Sequence, residues 1–344
     1  MIIFNLSKNQ FKLFWKGKNN QEKQLLFTIF PFNKFGITMK RRDFIWKSVA
    51  ASVASGTLFS MGRWNPLFAS ANMSDEAFDM VAIKNGEPTA MFDAGIAALG
   101  GLKSFIKPNQ TVVVKPNIGW DAPPERAADT NPELIGRIVK RCLEAGAKKV
   151  MVFDNPCDEW TACYKNSGIE KAVKNNGGQI VSGKIEGYYH PVDIPKGKNL
   201  KNTRVHELIL ESDVFINVPV LKNHGGATMS LAMKNLMGVV WNRGFYHANN
   251  LHQCIADFVT FRKPDLNIID GYRVMKRNGP RGVSVDDVAT MKYQLISKDI
   301  VAIDTAATKI FGIETERVKH IVIAEEMGLG TTNLDSLKIK RITV

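Results

Sequence analysis

Cysteine is scarce in this sequence, and the spacing of the few present excludes more than their number does. The 344 residues contain four, Cys142, Cys157, Cys163 and Cys254. None forms the Cys-x-x-Cys pairs from which zinc and iron–sulfur sites are usually built, so an internally ligated iron–sulfur cluster is not expected. Cys157 and Cys163 are suited to a disulfide in an oxidising compartment and equally to remaining free thiols. Long apolar runs are lacking too: the stretch 48–61 is rich in Ala, Ser and Gly and falls short of the ~20 apolar residues that span a bilayer. Internal repeats and low-complexity segments are also missing. With 44% hydrophobic and 23% charged residues, the chain can nevertheless bury a sizeable core, which excludes a disordered or fibrous protein.

Acidic residues are scarce only near the start. Lys and Arg total 46 against 33 Asp and Glu, a formal net charge of +13, but residues 1–71 hold 11 of the basic and 2 of the acidic side chains. Without them the balance is 35 to 31, a net of +4, which is ordinary for a globular protein and argues against nucleic-acid binding. The basic excess has another use. Lys40-Arg41-Arg42-Asp43-Phe44-Ile45-Trp46-Lys47, the weakly apolar 48–61 and then Ala69-Ser70-Ala71 resemble a twin-arginine export signal with a small-residue cleavage site. Lys40 stands where Ser or Thr is usual. Met39 opens that signal, so residues 1–38 read as an over-extension upstream of the true start, 39–71 as signal peptide and 72–344 as one α/β domain. The expected location is periplasmic, reached through the twin-arginine export machinery, with membrane anchoring left open if the signal stays uncleaved.

Beyond residue 76, short β-branched runs alternate with amphipathic segments, the pattern of a mostly parallel, Rossmann-like sheet with helices on both faces. Strands are expected at 79–84, 111–115, 149–154, 214–221, 266–270, 292–297 and 337–344. Helices are expected at 89–105, interrupted by Gly100-Gly101, at 169–175, near 230–240, at 251–262, at 300–311 behind an Asp299 cap, and at 315–327. Asn131, Pro132 and Glu133 open a further helix that Gly146 ends. The stretch 178–204, rich in Gly, Lys and Pro, reads as an irregular insertion.

Polar residues collect where these strands end: Lys115 and Asn117, Asp154 and Asn155, Lys222 with Asn223 and His224, and Asp270. Ligands of open parallel sheets bind beyond the carboxyl ends of the strands, so these groups are expected around one crevice. Leu221-Lys222-Asn223-His224-Gly225-Gly226 follows an apolar strand with a cation, an imidazole and two glycines, the logic of an anion-cradling loop without the Walker spacing. Lys234 and Asn235 sit in an otherwise apolar helical stretch, where a lysine either snorkels to water or faces a ligand. Tyr246, His247 and His252 form a looser cluster that reads as core or surface.

Taken together, Val114-Lys115-Pro116-Asn117, Thr130-Asn131-Pro132-Glu133, Asn217 to His224, Ala232 to Gly238, Ile269-Asp270-Gly271 and Asp299 to Asp304 resemble the domain-of-unknown-function 362 family, over about 112–330. Asn223 departs from a commoner Thr. The resemblance implies that Lys115, Asn117, Lys222, His224, Lys234, Asn235, Asp270 and Asp304 are signature polar positions. The expectation is an exported enzyme or cofactor protein that takes an anionic small molecule, with a non-catalytic periplasmic binding or assembly protein as the alternative. In it, His224, Lys222 and Lys234 do the chemistry, while Lys115, Asn117, Asn235 and Asp154 hold the ligand. Asp270, Asp304 and His224 are the candidate ligands should a metal ion be present. A redox partner protein follows only by association with the export route.

Overall fold

The computed structural model describes residues 78–344 and, before them, three strands, β1 (Ile3–Ser7), β2 (Gln10–Lys16) and β3 (Glu22–Thr28), which pair antiparallel as a separate sheet. The twin-arginine segment and its cleavage site lie outside the described residues. The following unit carries strands β4 (Met80–Lys84), β5 (Thr111–Pro116), β6 (Lys149–Val152), β7 (Gln179–Ile180), β8 (Tyr189–Asp193), β9 (Asn202–His206), β10 (Val214–Val218), β11 (Val220–His224), β12 (Thr228–Ser230), β13 (Leu266–Met275), β14 (Val288–Ser297) and β15 (Ile339–Thr343). The main sheet has the order β15-β4-β14-β13-β10-β5-β6-β7, with β11 and β12 branching from β13. Along this path every pairing is parallel except those of β14, which runs antiparallel to both β13 and β4. The expected α/β class with a mostly parallel sheet is therefore what forms.

The strand sequences explain why both faces are covered. In β5, Val113 enters one apolar core while Val112 and Val114 enter the other, as the period of two along a strand requires. The first core is closed by helices Leu251–Val259, Ile300–Phe311 and Lys319–Glu326, the second by helices Pro88–Ala98 and Pro132–Glu144. Asn131 and Asp299 cap their helices as the sequence predicts, accepting hydrogen bonds from Glu133 N and from Val301 N and Ala302 N. A helix that sequence reading passed over, Trp160–Asn166, is capped in the same way by Glu159.

Two expectations need correction. Residues 214–221 do not form one strand: β10 ends at Val218 and β11 starts at Val220. Pro219, with no N–H to donate to a ladder, lets the chain change partners. β10 pairs with β5 and β13, whereas β11 pairs with β12 and β13. Nor is 178–204 irregular throughout, since β8 and β9 form an antiparallel hairpin. Its Pro195, Lys196, Gly197 and Lys198 fall in the connecting turn. There Gly197 passes so close to the Leu200 carbonyl that a Cβ would lie 2.2 Å from that oxygen.

Candidate functional site

Because β5, β6, β10 and β13 are parallel, their carboxyl ends open on one edge of the sheet, and a cavity of about 390 Å³ lies there. Lys115, Asn117, Asp154, Lys222, His224, Lys234 and Asn235 all line it. The sequence-predicted residues for chemistry and ligand binding thus meet in one place. They are joined by Trp120, Cys157, Arg243 and His247, none of which the sequence marked for this site.

The floor is a closed polar network. Lys115 Nζ lies 2.8 Å from Asp154 Oδ1 and donates to Asn235 Oδ1 at 2.8 Å and to the Pro116 carbonyl at 2.7 Å. The Asp154 carboxylate also accepts Ile118 N and Asn155 N. Burial pushes the Lys115 ammonium down, and Asp154 opposes that shift. Asn235 donates to Asn217 Oδ1 at 2.8 Å, and Asn217 donates to Asn267 Oδ1 at 3.0 Å. The chain of amides satisfies what would otherwise be costly buried polar groups.

Lys222 is held in a similar way. Its ammonium donates to the Ala128 carbonyl and, at 3.1 Å, to Asn117 Oδ1. Burial lowers its pKa and the nearby Asp129 opposes the drop; the same burial raises Asp129. Asp129 Oδ1 accepts Gly119 N and Trp120 N, while its buried Oδ2 has no partner. Sequence reading missed Asp129, although its place immediately before the Thr130-Asn131-Pro132 helix start was a usable signal.

Lys234 and Arg243 differ from both. Lys234 faces the cavity with no hydrogen-bond or carboxylate partner among the described residues, and burial, then Arg243, lower its pKa to about 8. Arg243 donates to the Pro156 carbonyl at 2.7 Å and to Cys157 Sγ at 3.4 Å, and no carboxylate pairs with it among the described residues. Beside them, His224 Nδ1 accepts from Gly226 N and Ala227 N, both at 3.1 Å. With that lone pair engaged twice, the neutral ring carries its proton on Nε2. Burial, Lys234 and Lys222 push its pKa to about 3. His224 is therefore a fixed hydrogen-bond donor. A metal on Nε2 would require a proton on Nδ1, where two N–H groups already point.

Asp270 and Asp304, the candidate metal ligands, commit their carboxylates to backbone N–H groups. Asp270 accepts Asn131 N at 2.8 Å and Tyr272 N at 3.1 Å, and Asp304 accepts Ala232 N at 2.7 Å and Met233 N at 3.0 Å. Neither lines the cavity. Burial raises both, to about 6 and about 8. Asp304 thereby fixes the start of the short helix Ala232–Asn235 that carries Lys234. Among the described residues, no group of three or more His, Cys, Asp or Glu side chains is placed to hold a metal ion. Cys157 and Cys163 are both free thiols, the first exposed and the second buried.

Comparison with known proteins adds three findings. Residues 112–309 match the model of a domain of unknown function, DUF362. A thylakoid-associated protein of Synechocystis sp. is 27% identical over 253 residues, covering 68% of this chain and 73% of its own. The lactate racemase apoprotein of Thermoanaerobacterium thermosaccharolyticum superposes with a TM-score of 0.39 at 14% identity, over 65% of this chain. This chain spans only 55% of the length of that structure, and a superposition so loose carries no argument.

Proposed function

The chain belongs to the DUF362 family, and from that premise we propose that the crevice at the carboxyl edge of its sheet binds a small anionic molecule and acts on it. The observation that carries this reading is the uncompensated charge of Lys234 and Arg243. Lys115 is neutralised by Asp154 and Lys222 is offset by Asp129. The other two cations face the cavity with no carboxylate paired to them among the described residues. Gathering like charges in a partly dehydrated site is costly, and an anion that binds the folded state recovers the cost. His224 Nε2–H adds a donor that stays neutral through the physiological range.

Catalysis is favoured over simple binding because the cavity groups are strongly perturbed. Lys234 is brought to about 8, close to the working pH, and displaced pKa values of this kind collect at sites of proton transfer. Export by the twin-arginine route belongs to the same proposal and rests on the basic segment around Arg41 and Arg42.

The test is thermal unfolding with sulfate or phosphate. At about ten times its Kd, an anion specific to the folded state adds ~1.4 kcal/mol, a Tm rise of roughly 2–4 °C. Arg243→Ala should remove most of that rise. An unchanged rise in Arg243→Ala, or none in the native sequence, overturns the reading.

A further inference from the structure

Resting on the anion-binding reading above, we propose that Lys234 is an amine nucleophile that condenses reversibly with the carbonyl carbon of a small 2-oxo acid, whose carboxylate is held by Arg243.

The geometry separates Lys234 from the other lysines of the crevice. Lys115 is surrounded by Asp154, Asn235 and a carbonyl, and Lys222 by Asn117 and a carbonyl, so their nitrogens are committed to acceptors. Lys234 makes no such bond among the described residues and opens on the cavity. An ammonium ion with nothing to accept its protons gains little from being charged, and neighbouring cations oppose the charge further. Burial and Arg243 accordingly bring its pKa to about 8, so an appreciable fraction is free amine at neutral pH. Desolvation and an adjacent cation are the established means of activating a lysine amine toward carbonyl groups.

The substrate class follows from the neighbour that lowers the amine. Arg243 also lines the cavity, and its planar fork suits a carboxylate. A 2-oxo acid places its electrophilic carbon one bond from the carboxylate, and the 390 Å³ cavity fits a molecule of that size. In the first step the Lys234 nitrogen lone pair forms the C–N bond, and the carbonyl oxygen, with a proton released from the nitrogen, becomes the hydroxyl of a carbinolamine. In the second, the C–O bond breaks as Lys222 gives the leaving hydroxyl the one proton not held by Asn117 and the Ala128 carbonyl, and water departs. The products are a protonated imine on Lys234, one water and a neutral Lys222 amine. Charge is conserved, and no oxidant or reductant is needed. The Nε2–H of His224 is available as a neutral donor to the carbonyl oxygen throughout.

The experiment uses the full chain, pyruvate and sodium cyanoborohydride, which reduces an imine to a stable secondary amine. Intact mass should rise by the mass of pyruvate less one oxygen, and peptide mapping should place the adduct on Lys234 at least tenfold above any other lysine. Labelling spread evenly over surface lysines overturns the proposal without recourse to any variant. Arg243→Ala should cut labelling by pyruvate about tenfold more than labelling by the neutral propanal, which falls only as far as loss of the neighbouring cation raises the pKa of the Lys234 amine. Equal loss with both reagents refutes the carboxylate assignment. Lys234→Arg should abolish the adduct yet keep the Tm rise with sulfate. A chain that shows the sulfate effect but no Lys234 adduct defeats this inference alone, and one that shows neither defeats the anion site as well.

Discussion

Gly238 stands where a methyl group has no room. A Cβ at that position would lie 1.9 Å from Asp154 Oδ1 and 2.7 Å from Lys115 Nζ, so the ion pair and the helical turn approach each other only because the side chain is missing. The pair is nearly inaccessible, with 1% and 3% of the two side chains exposed, and separating such a pair leaves buried charge without compensation. Gly238→Ala should therefore lower the unfolding free energy by ~3–5 kcal/mol, measured by urea denaturation. A loss below about 1 kcal/mol would mean that the turn shifts at little cost. At this scale the sequence was informative about lysines and poor about their partners. Strand ends singled out Lys115 and Lys222, and a lysine inside an apolar helical stretch, which either snorkels to water or faces a ligand, singled out Lys234. That the first of them pairs with Asp154 rather than Asp270 or Asp304 depends on which strands are neighbours, and no local pattern carries strand order. Arg243 follows the family's apolar helical stretch with nothing in its spacing to mark it.

His206 ends β9 and caps the short helix Glu207–Glu211, its Nδ1 accepting Leu208 N at 3.2 Å and its ring 4.1 Å from that of Phe153. Burial pushes its pKa down to about 4. The folded value lies below the ordinary histidine value of about 6.5, so the neutral ring contributes stability above pH ~6.5 that is lost as pH falls through about 4. Unfolding free energy should decline across that interval. His206→Asn keeps a cap acceptor that does not titrate, so its decline should be shallower, although the variant starts less stable at pH 7 through lost packing on Phe153. Parallel slopes in denaturation series at pH 7, 6, 5 and 4 would remove His206 as a source of the acid sensitivity. This hairpin and helix were the hardest elements to read, because β8 and β9 lie outside the main sheet and their buried residues do not alternate with exposed ones. The buried strands were easier. Their β-branched runs could be read directly, apart from the change of partner at Pro219, where an apolar sequence continued although the hydrogen-bond ladder did not.

Over the whole molecule, charge is divided by position along the chain. The described domain is close to balanced, while most of the basic excess sits in residues 1–71, so the sheet and its crevice do not need that segment to account for their chemistry. The parallel α/β class could be read from the alternation of runs, and the reversed direction of β14 could not, since a strand's sequence does not encode its sense. The proposed role of the segment around Arg41 and Arg42 is recognition by export machinery, and it can be separated from simple charge. Lysine keeps the charge of arginine but not its planar, forked donors. Replacing both, Arg41→Lys with Arg42→Lys, should leave the full-length chain in the cytoplasmic fraction of its host, whereas deleting residues 1–38 should leave export intact. Immunoblots of cytoplasmic and periplasmic fractions read both results, and an exported product beginning at Asn72 places cleavage after Ala71. Equal export of the double-lysine chain would show that positive charge alone suffices and would withdraw the twin-arginine assignment. If the assignment holds, the domain crosses the membrane already folded, and its crevice is assembled before it leaves the cytoplasm. An anion tight enough to survive transport would then be loaded there, so the ligand content of the cytoplasmically retained variant and of the exported protein should agree.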